Sequence, residues 1–159
     1  MQAPSDWDIV VRAERAFAEA LASLNPRDLP ELIGPALRTL AERRAALRVL
    51  RDSPPELTTA VLADLSGLLL VSHSLLEECR RVVLRLEPDV LSAYLDGLVQ
   101  QLMSDSGADY EAYRRLAELL VRARAARPLT ELMASALASP DSDIREVADD
   151  FVNDDGELG

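Results

Sequence analysis

Apolar residues recur at helical spacing across residues 56–86, a stretch without proline. One register steps by three and four residues through Val61, Leu65, Leu68, Ser72, Leu75, Cys79, Val82 and Leu86. A second register repeats every seven residues through Leu62, Leu69, Leu76 and Val83. Together they cover more than one face of a helix, so we predict a long central helix 56–86 that other helices enclose. Ser74-x-x-Glu77 is a capping pattern inside it, but both registers cross it without a phase change, which favours continuity.

Capping and proline signals divide the rest of the chain into shorter helices. The predicted starts are Ser5 with Asp8, Gly34-Pro35, Glu87-Pro88, residue 109, Pro128 and Ser139-Pro140. The inner face of the first helix is expected to consist of Ile9, Val10, Ala13, Phe17 and Leu21. Trp7 is expected to pack beside this face. Short loops between consecutive helices favour antiparallel neighbours. The prediction is an all-α domain over 1–152 of six or seven antiparallel helices, followed by an acidic, disordered tail at 153–159.

Two architectures agree with this pattern of helices. One is a compact helical bundle around the central helix, and the other is a short α-solenoid of stacked helix pairs. Composition agrees with either, because leucine, alanine and valine dominate the apolar residues and aromatic residues make up only 4%.

The charge of the chain is strongly negative and unevenly distributed. The net charge is −11, and residues 139–159 contain eight acidic residues and one arginine, a local charge of −7. An acidic surface is repelled by phosphate backbones and anionic lipids, so we expect neither nucleic acid nor membrane as a partner. All 17 basic residues are arginine, which is typical of a bacterial protein from a GC-rich genome. The single cysteine and the lack of a signal-peptide pattern predict a cytoplasmic location.

Residues 127–152 carry one family-like pattern, RPLTELMASALASPDSDIREVADDFV. A loop rich in Asp and Pro at 139–143 separates two predicted helices, and the second begins with Ile144-Arg145 and continues with Ala148 and Phe151. This segment resembles one HEAT-type helical repeat. The resemblance implies stacked helix pairs and a face that binds other proteins. It covers 26 residues, and no fixed period recurs upstream.

Few residues of the chain are suited to catalysis or metal binding. His73 and Glu77 lie four residues apart, but no second histidine exists to complete a zinc site, so we expect a half-buried histidine paired with a carboxylate. Cys79 lies on the apolar register, where a free cysteine packs as a small hydrophobe. We therefore predict no enzyme activity, no cofactor and no bound metal.

Arginine clusters on several helix faces are the best candidates for contacts with a protein partner. Arginine binds carboxylates through two parallel hydrogen bonds and is enriched at interfaces. The predicted partner-binding residues are Arg44, Arg48, Arg51, Arg122, Asp143, Arg145, Asp149 and Asp150. Basic faces and an acidic end in one chain also suggest head-to-tail self-association as a homo-oligomer.

These features predict a non-catalytic protein–protein interaction or regulatory module, which is HEAT-like if the resemblance holds. The alternative is a helical bundle that senses a small molecule in an apolar pocket beside Gly67, His73 and Gly97. Gly67 and Gly97 lie within predicted helices, where a glycine costs about 1 kcal/mol relative to alanine. Close approach of two helix backbones is one reason to keep them there, and local bending is another.

Overall fold

The protein is all-helical over the residues that the structure describes, which confirms the predicted fold class. The computed structural model describes residues 5–154, with side chains up to Phe151. Ten helices lie in this range, where six or seven were predicted. They are α1 (Asp6–Ser23), α2 (Leu29–Arg38), α3 (Arg43–Asp52), α4 (Pro55–Ala60), α5 (Leu62–Leu69), α6 (Leu76–Val83), α7 (Pro88–Ser104), α8 (Tyr110–Arg122), α9 (Ala126–Leu137) and α10 (Ser142–Asp154).

One hydrophobic core runs through both halves of the fold. Helices α2 to α6 pack on one another, and α7 to α10 pack on one another. Leucine side chains from both groups, such as Leu65 and Leu116, are fully buried in the same cluster. Most of the predicted central registers are buried as expected, including Val61, Cys79 and Val82, whereas Ser72 is exposed.

The predicted continuous helix 56–86 is wrong, because the chain forms three helices there. The first break is at Val61, whose backbone angles (φ −119°, ψ 17°) are not helical. Two threonines precede it, and β-branched residues have low helix propensity. The Thr59 hydroxyl donates a hydrogen bond to the Pro55 carbonyl at 3.3 Å, a bond that competes with the regular helix pattern. The Val61 side chain nevertheless stays buried, so the apolar register survives the break.

The second break separates α5 from α6, and side chains replace the missing helical bonds. The N–H of Leu75 donates to His73 Nδ1 at 3.1 Å, so Nε2 carries the ring proton and donates to the Leu68 carbonyl at 2.9 Å. The N–H of Ser72 donates to Glu111 Oε1 of α8 at 3.1 Å. The expected continuity failed because an apolar period records which side chains are buried, and it does not require an unbroken backbone.

The predicted helix start at Gly34-Pro35 is also wrong. Helix α2 begins at Leu29 and contains Pro35, and an extended residue, Thr39 (φ −92°, ψ 116°), ends it. Gly34 is buried against α5: a Cβ at this position would lie 2.6 Å from Asp64 Oδ2. Glycine therefore permits α2 to approach α5 closely, while Arg38 of α2 forms an ion pair with Asp64.

Other boundaries agree well with the predicted capping signals. Ser5 and Asp8 form a capping box at the start of α1, as predicted. Helix α7 begins at Pro88 and ends before Asp105, and Asp109 caps α8 by accepting a hydrogen bond from the Ala112 N–H at 2.9 Å. The predicted tail at 153–159 lies outside the described residues except for its first two positions, which belong to α10.

Helix α1 packs against the core through its second half. No residue of α1 is buried, and Phe17 and Leu21 are the α1 side chains that pack against the core. The Arg48 guanidinium lies over the Phe17 ring at 4.2 Å from its centroid. The expected inner positions of Ile9 and Val10 and the packing role of Trp7 are wrong, because these side chains are 52%, 53% and 71% exposed.

Candidate functional site

Three of the predicted partner-binding arginines line one pocket between α3 and α6. Helix α3 contributes Arg44, Arg48 and Arg51, which share a face because they are four and three residues apart. The remaining lining residues are Leu47, Leu75, Glu78 and Arg81. The pocket has a volume of about 320 Å³. We call it the arginine pocket.

The arginine pocket is a positive site on an acidic protein. Four arginines and one glutamate line it, while the whole chain has a net charge of −11. Two of the arginines are already engaged: Arg48 pairs with Glu14, and Arg51 Nε lies 2.8 Å from Asp52 Oδ1. Among the described residues, no carboxylate pairs with Arg44 or Arg81, and both side chains are exposed. These two guanidinium groups are available to an external anion.

The engaged arginines hold the wall of the pocket in place. Arg48 is fixed by its contacts with Glu14 and the Phe17 ring, which attach α1 to α3. The hydrogen bond from Arg51 lowers the pKa of the Asp52 carboxyl, and burial opposes this more weakly. Asp52 therefore stays ionised at neutral pH and keeps Arg51 oriented.

A separate charge network lies next to the pocket, where α6 meets α8. Arg80 is almost fully buried and donates to Glu118 Oε2 at 2.6 Å, Glu77 Oε1 at 3.0 Å and the Arg115 carbonyl at 3.1 Å. Arg122, one of the predicted partner-binding residues, forms an ion pair with Glu77. This ion pair attaches α8 to α6, and Arg122 does not line the arginine pocket.

Carboxylates of this network are held in their charged form. Burial acts to raise the pKa of Glu118, but hydrogen bonds from Arg80 and Arg115 outweigh it and bring the pKa below the usual value. The pKa of Glu77 is lowered mainly by the hydrogen bond from Arg122. Both glutamates therefore remain ionised at neutral pH.

The predicted acidic candidates lie on α10, away from the arginine pocket. Asp150 forms an ion pair with Arg114 of α8. Arg145 donates to the Ser139 carbonyl at 2.8 Å, which closes the loop after α9. Asp143 and Asp149 lie on the exposed surface of α10. The structure thus separates the eight predicted residues into three at the pocket and five elsewhere.

Residues with reactive side chains are engaged in the fold. Burial raises the pKa of the Cys79 thiol to about 11, and its side chain lies in the core, as predicted. His73 is half-buried, but the expected pairing with Glu77 is wrong because both ring nitrogens bond to backbone groups. Within residues 5–151, no three His, Cys, Asp or Glu side chains lie close enough together to hold a metal ion.

A second concave surface lies where α8, α9 and the end of α10 meet. It has a volume of about 760 Å³ and its lining is largely apolar. The lining residues are Val121, Arg124, Ala125, Ala126, Leu129, Thr130, Met133, Ala134, Leu137 and Phe151. We call it the apolar groove. The sequence analysis missed it, although Leu137 and Val121 are apolar residues that the structure leaves about half exposed.

The pocket expected beside Gly67 and Gly97 has no support in the described structure. Both glycines are exposed, and no atom lies within 4 Å of a Cβ built at either position. Neither close approach of two backbones nor an enclosing pocket explains them.

Arg81 lines the arginine pocket but was not among the predicted partner-binding residues, because its proximity to Arg44 depends on how α3 packs on α6.

No helix in the described part of the chain combines the length and the apolar character that a membrane span requires. Comparison of the chain with protein-family models, curated proteins and solved structures finds no match.

Proposed function

We propose that the protein is a non-catalytic interaction module and that its arginine pocket binds an acidic segment of a protein partner. The observation that carries this proposal is a pair of guanidinium groups at one concave site, Arg44 and Arg81, with which no carboxylate among residues 5–151 forms an ion pair. Arg38, Arg114 and Arg127, in contrast, each form an ion pair with a carboxylate on another helix.

The composition of the pocket specifies the chemistry of the segment. Arg44 and Arg81 offer planar donors for aspartate or glutamate side chains, each of which accepts two hydrogen bonds. Leu47 and Leu75 add apolar lining, which favours a segment with an apolar residue beside its carboxylates. Glu78 at the same site disfavours a dense run of acidic residues, because like charges repel.

A protein partner fits the charge of the molecule better than a nucleic acid does. Nucleic-acid binding relies on many contacts with phosphates, and the net charge of −11 opposes the approach of a polyanion. A short acidic segment feels mainly the local field of the pocket, because charges farther away than about 8 Å are screened at physiological salt.

The HEAT-like resemblance belongs to the same proposal. Helices α9 and α10 form a pair joined by residues 138–141, and α8 packs against both. The division of residues 56–86 into short helices supports a fold built from small helical units. In a HEAT-like arrangement the exposed helix faces provide the surface that partners contact.

Affinity capture with matched charge variants tests the proposal. The wild type, Arg44→Glu/Arg81→Glu, and a control, Arg15→Glu/Arg27→Glu, would be used as baits in extracts of the native host. The control makes the same charge change at exposed positions that lie outside the arginine pocket. We expect the wild type and the control to retain one stoichiometric protein, and the pocket variant to lose it.

Two other results would contradict the proposal. Equal recovery of the partner by the pocket variant would show that the pocket is not the binding site. Recovery of each bait alone, with a melting temperature that rises when small anions are added, would show that the arginine pocket binds a small anion instead of a protein partner.

A further inference from the structure

The first half of α1 is an apolar helix surface that nothing covers in the described structure. Trp7, Val10 and Val11 lie on one side of the helix at spacings of three and four residues, and all three are exposed. Phe17 and Leu21 attach the second half of α1 to the core, so the first two turns extend beyond this attachment. A rigid helix with this pattern of anchors is the usual ligand of an apolar groove.

The apolar groove between α8, α9 and α10 has the complementary properties. Its volume of about 760 Å³ lies within the range of roughly 300–1,000 Å³ that is common for binding clefts. Leu129, Met133 and Phe151 line it, and the exposed side chains of Val121 and Leu137 belong to the same lining. Within the described residues, both the groove and the exposed part of α1 are apolar surfaces that no other helix covers.

Charge supports a match between the two surfaces. Arg124 lines the groove and has no ion-pair partner among residues 5–151. Asp6, in the first turn of α1 beside Trp7, likewise pairs with no arginine in that part of the chain. A helix placed in the groove with its N-terminus towards Arg124 would pair these two charges at the rim.

We propose that the first half of α1 from one copy of this protein binds in the apolar groove of a second copy. The contact is heterologous, because one copy contributes the helix and the other contributes the groove. Repetition of the contact gives closed rings or open chains. This inference uses surfaces separate from the arginine pocket, so its failure would leave the proposed function unaffected.

A complementation experiment tests this contact directly. One variant, Trp7→Asp/Val10→Asp, removes the helix surface, and another, Val121→Asp/Leu137→Asp, removes the groove. All four positions are exposed, so circular dichroism and melting curves should match the wild type. A control, Leu32→Asp/Leu40→Asp, changes two exposed leucines elsewhere on the surface.

Molar mass measured by light scattering gives the outcome. The wild type and the control should form oligomers that grow with concentration, and each variant alone should be monomeric. An equimolar mixture of the two variants should form a 1:1 heterodimer, because one intact helix and one intact groove remain. Arg124→Glu should weaken self-association, and adding Asp6→Arg to the same chain should restore it.

Other results would overturn the inference. A wild type that remains monomeric at every concentration would rule out the contact. Oligomers that persist in the groove variant would show that self-association does not use the apolar groove. A mixture that yields only monomers would show that the helix and the groove do not bind each other.

Discussion

Arg80 on α6 and Glu118 on α8 form an ion pair with 2.6 Å between Nη2 and Oε2, although only 3% of the Arg80 side chain is exposed. A buried charge is tolerated only when it is paired and hydrogen-bonded, and Glu77 and the Arg115 carbonyl supply further partners. This pair links the α2–α6 group of helices to the α7–α10 group.

Removal of Glu118 should destabilise the fold. Glu118→Ala leaves the buried Arg80 with fewer acceptors. We expect a loss of about 2 kcal/mol in the free energy of unfolding, below the ~3–5 kcal/mol of a fully buried pair because Glu118 is 29% exposed. Urea denaturation of the variant and of Glu19→Ala, an exposed helical control, measures the difference. Equal stability of the two variants would show that the pair contributes nothing.

Stability should also fall in acid because of the same network. The pKa values of Glu77 and Glu118 are lower in the folded protein than their usual values. As the pH falls through these pKa values, the unfolded chain binds more protons than the folded one. The stabilisation is therefore present above pH ~4.5 and is lost as the pH falls through the folded-state pKa values. Urea denaturation from pH 6 to pH 3 should show a steeper loss for the wild type than for Glu118→Gln. Parallel curves would contradict this assignment.

Gly67→Ala should stabilise the protein. Gly67 is exposed within α5, and an added Cβ meets no atom within 4 Å. Alanine has a higher helix propensity than glycine, so we expect a gain of about 0.5–1 kcal/mol in the free energy of unfolding. A thermal melt with a lower midpoint than the wild type would contradict the open surroundings of this residue.

Gly34→Ala should have the opposite effect. The added Cβ would lie 2.6 Å from Asp64 Oδ2 and would force the Asp64 carboxylate away from Arg38. Overpacking costs about 1–3 kcal/mol, and the higher helix propensity of alanine offsets about 0.5–1 kcal/mol of this, so we expect a net loss of about 1 kcal/mol. Combining Gly34→Ala with Asp64→Ala removes the clash, so the alanine at position 34 should then cost less. An unchanged cost in the double variant would rule out this contact as the cause.

The sequence predicted much of the core but not the continuity of the helices that form it. Leu65, Cys79 and Val82 are buried as their spacing predicts, because a side chain on the inner face must recur at the helical period. The break at His73 was missed because the hydrogen bonds that replace the helix come from its own ring and from Glu111, which is distant in sequence.

The candidate site was predictable only as far as it lies on one helix. Arg44, Arg48 and Arg51 share a face of α3 by spacing alone, and the structure places all three at the arginine pocket. Arg81 joins them through the packing of α6 on α3, which no local pattern encodes. Trp7 was assigned a packing role because its neighbours are apolar, but the first turns of α1 extend beyond the part of the helix that reaches the core.

Site-specific photo-crosslinking in host extracts tests the central claim most directly. A benzophenone amino acid would replace Glu78, which lines the arginine pocket, and in a control it would replace Glu19 on the exposed surface of α1. Mass spectrometry of the adducts identifies the partner peptide at each position. The account predicts one dominant peptide at position 78, with aspartate or glutamate beside an apolar residue, and loss of that adduct when Arg44→Glu/Arg81→Glu is added. A partner that crosslinks equally at both positions, or a peptide without carboxylates, would contradict it.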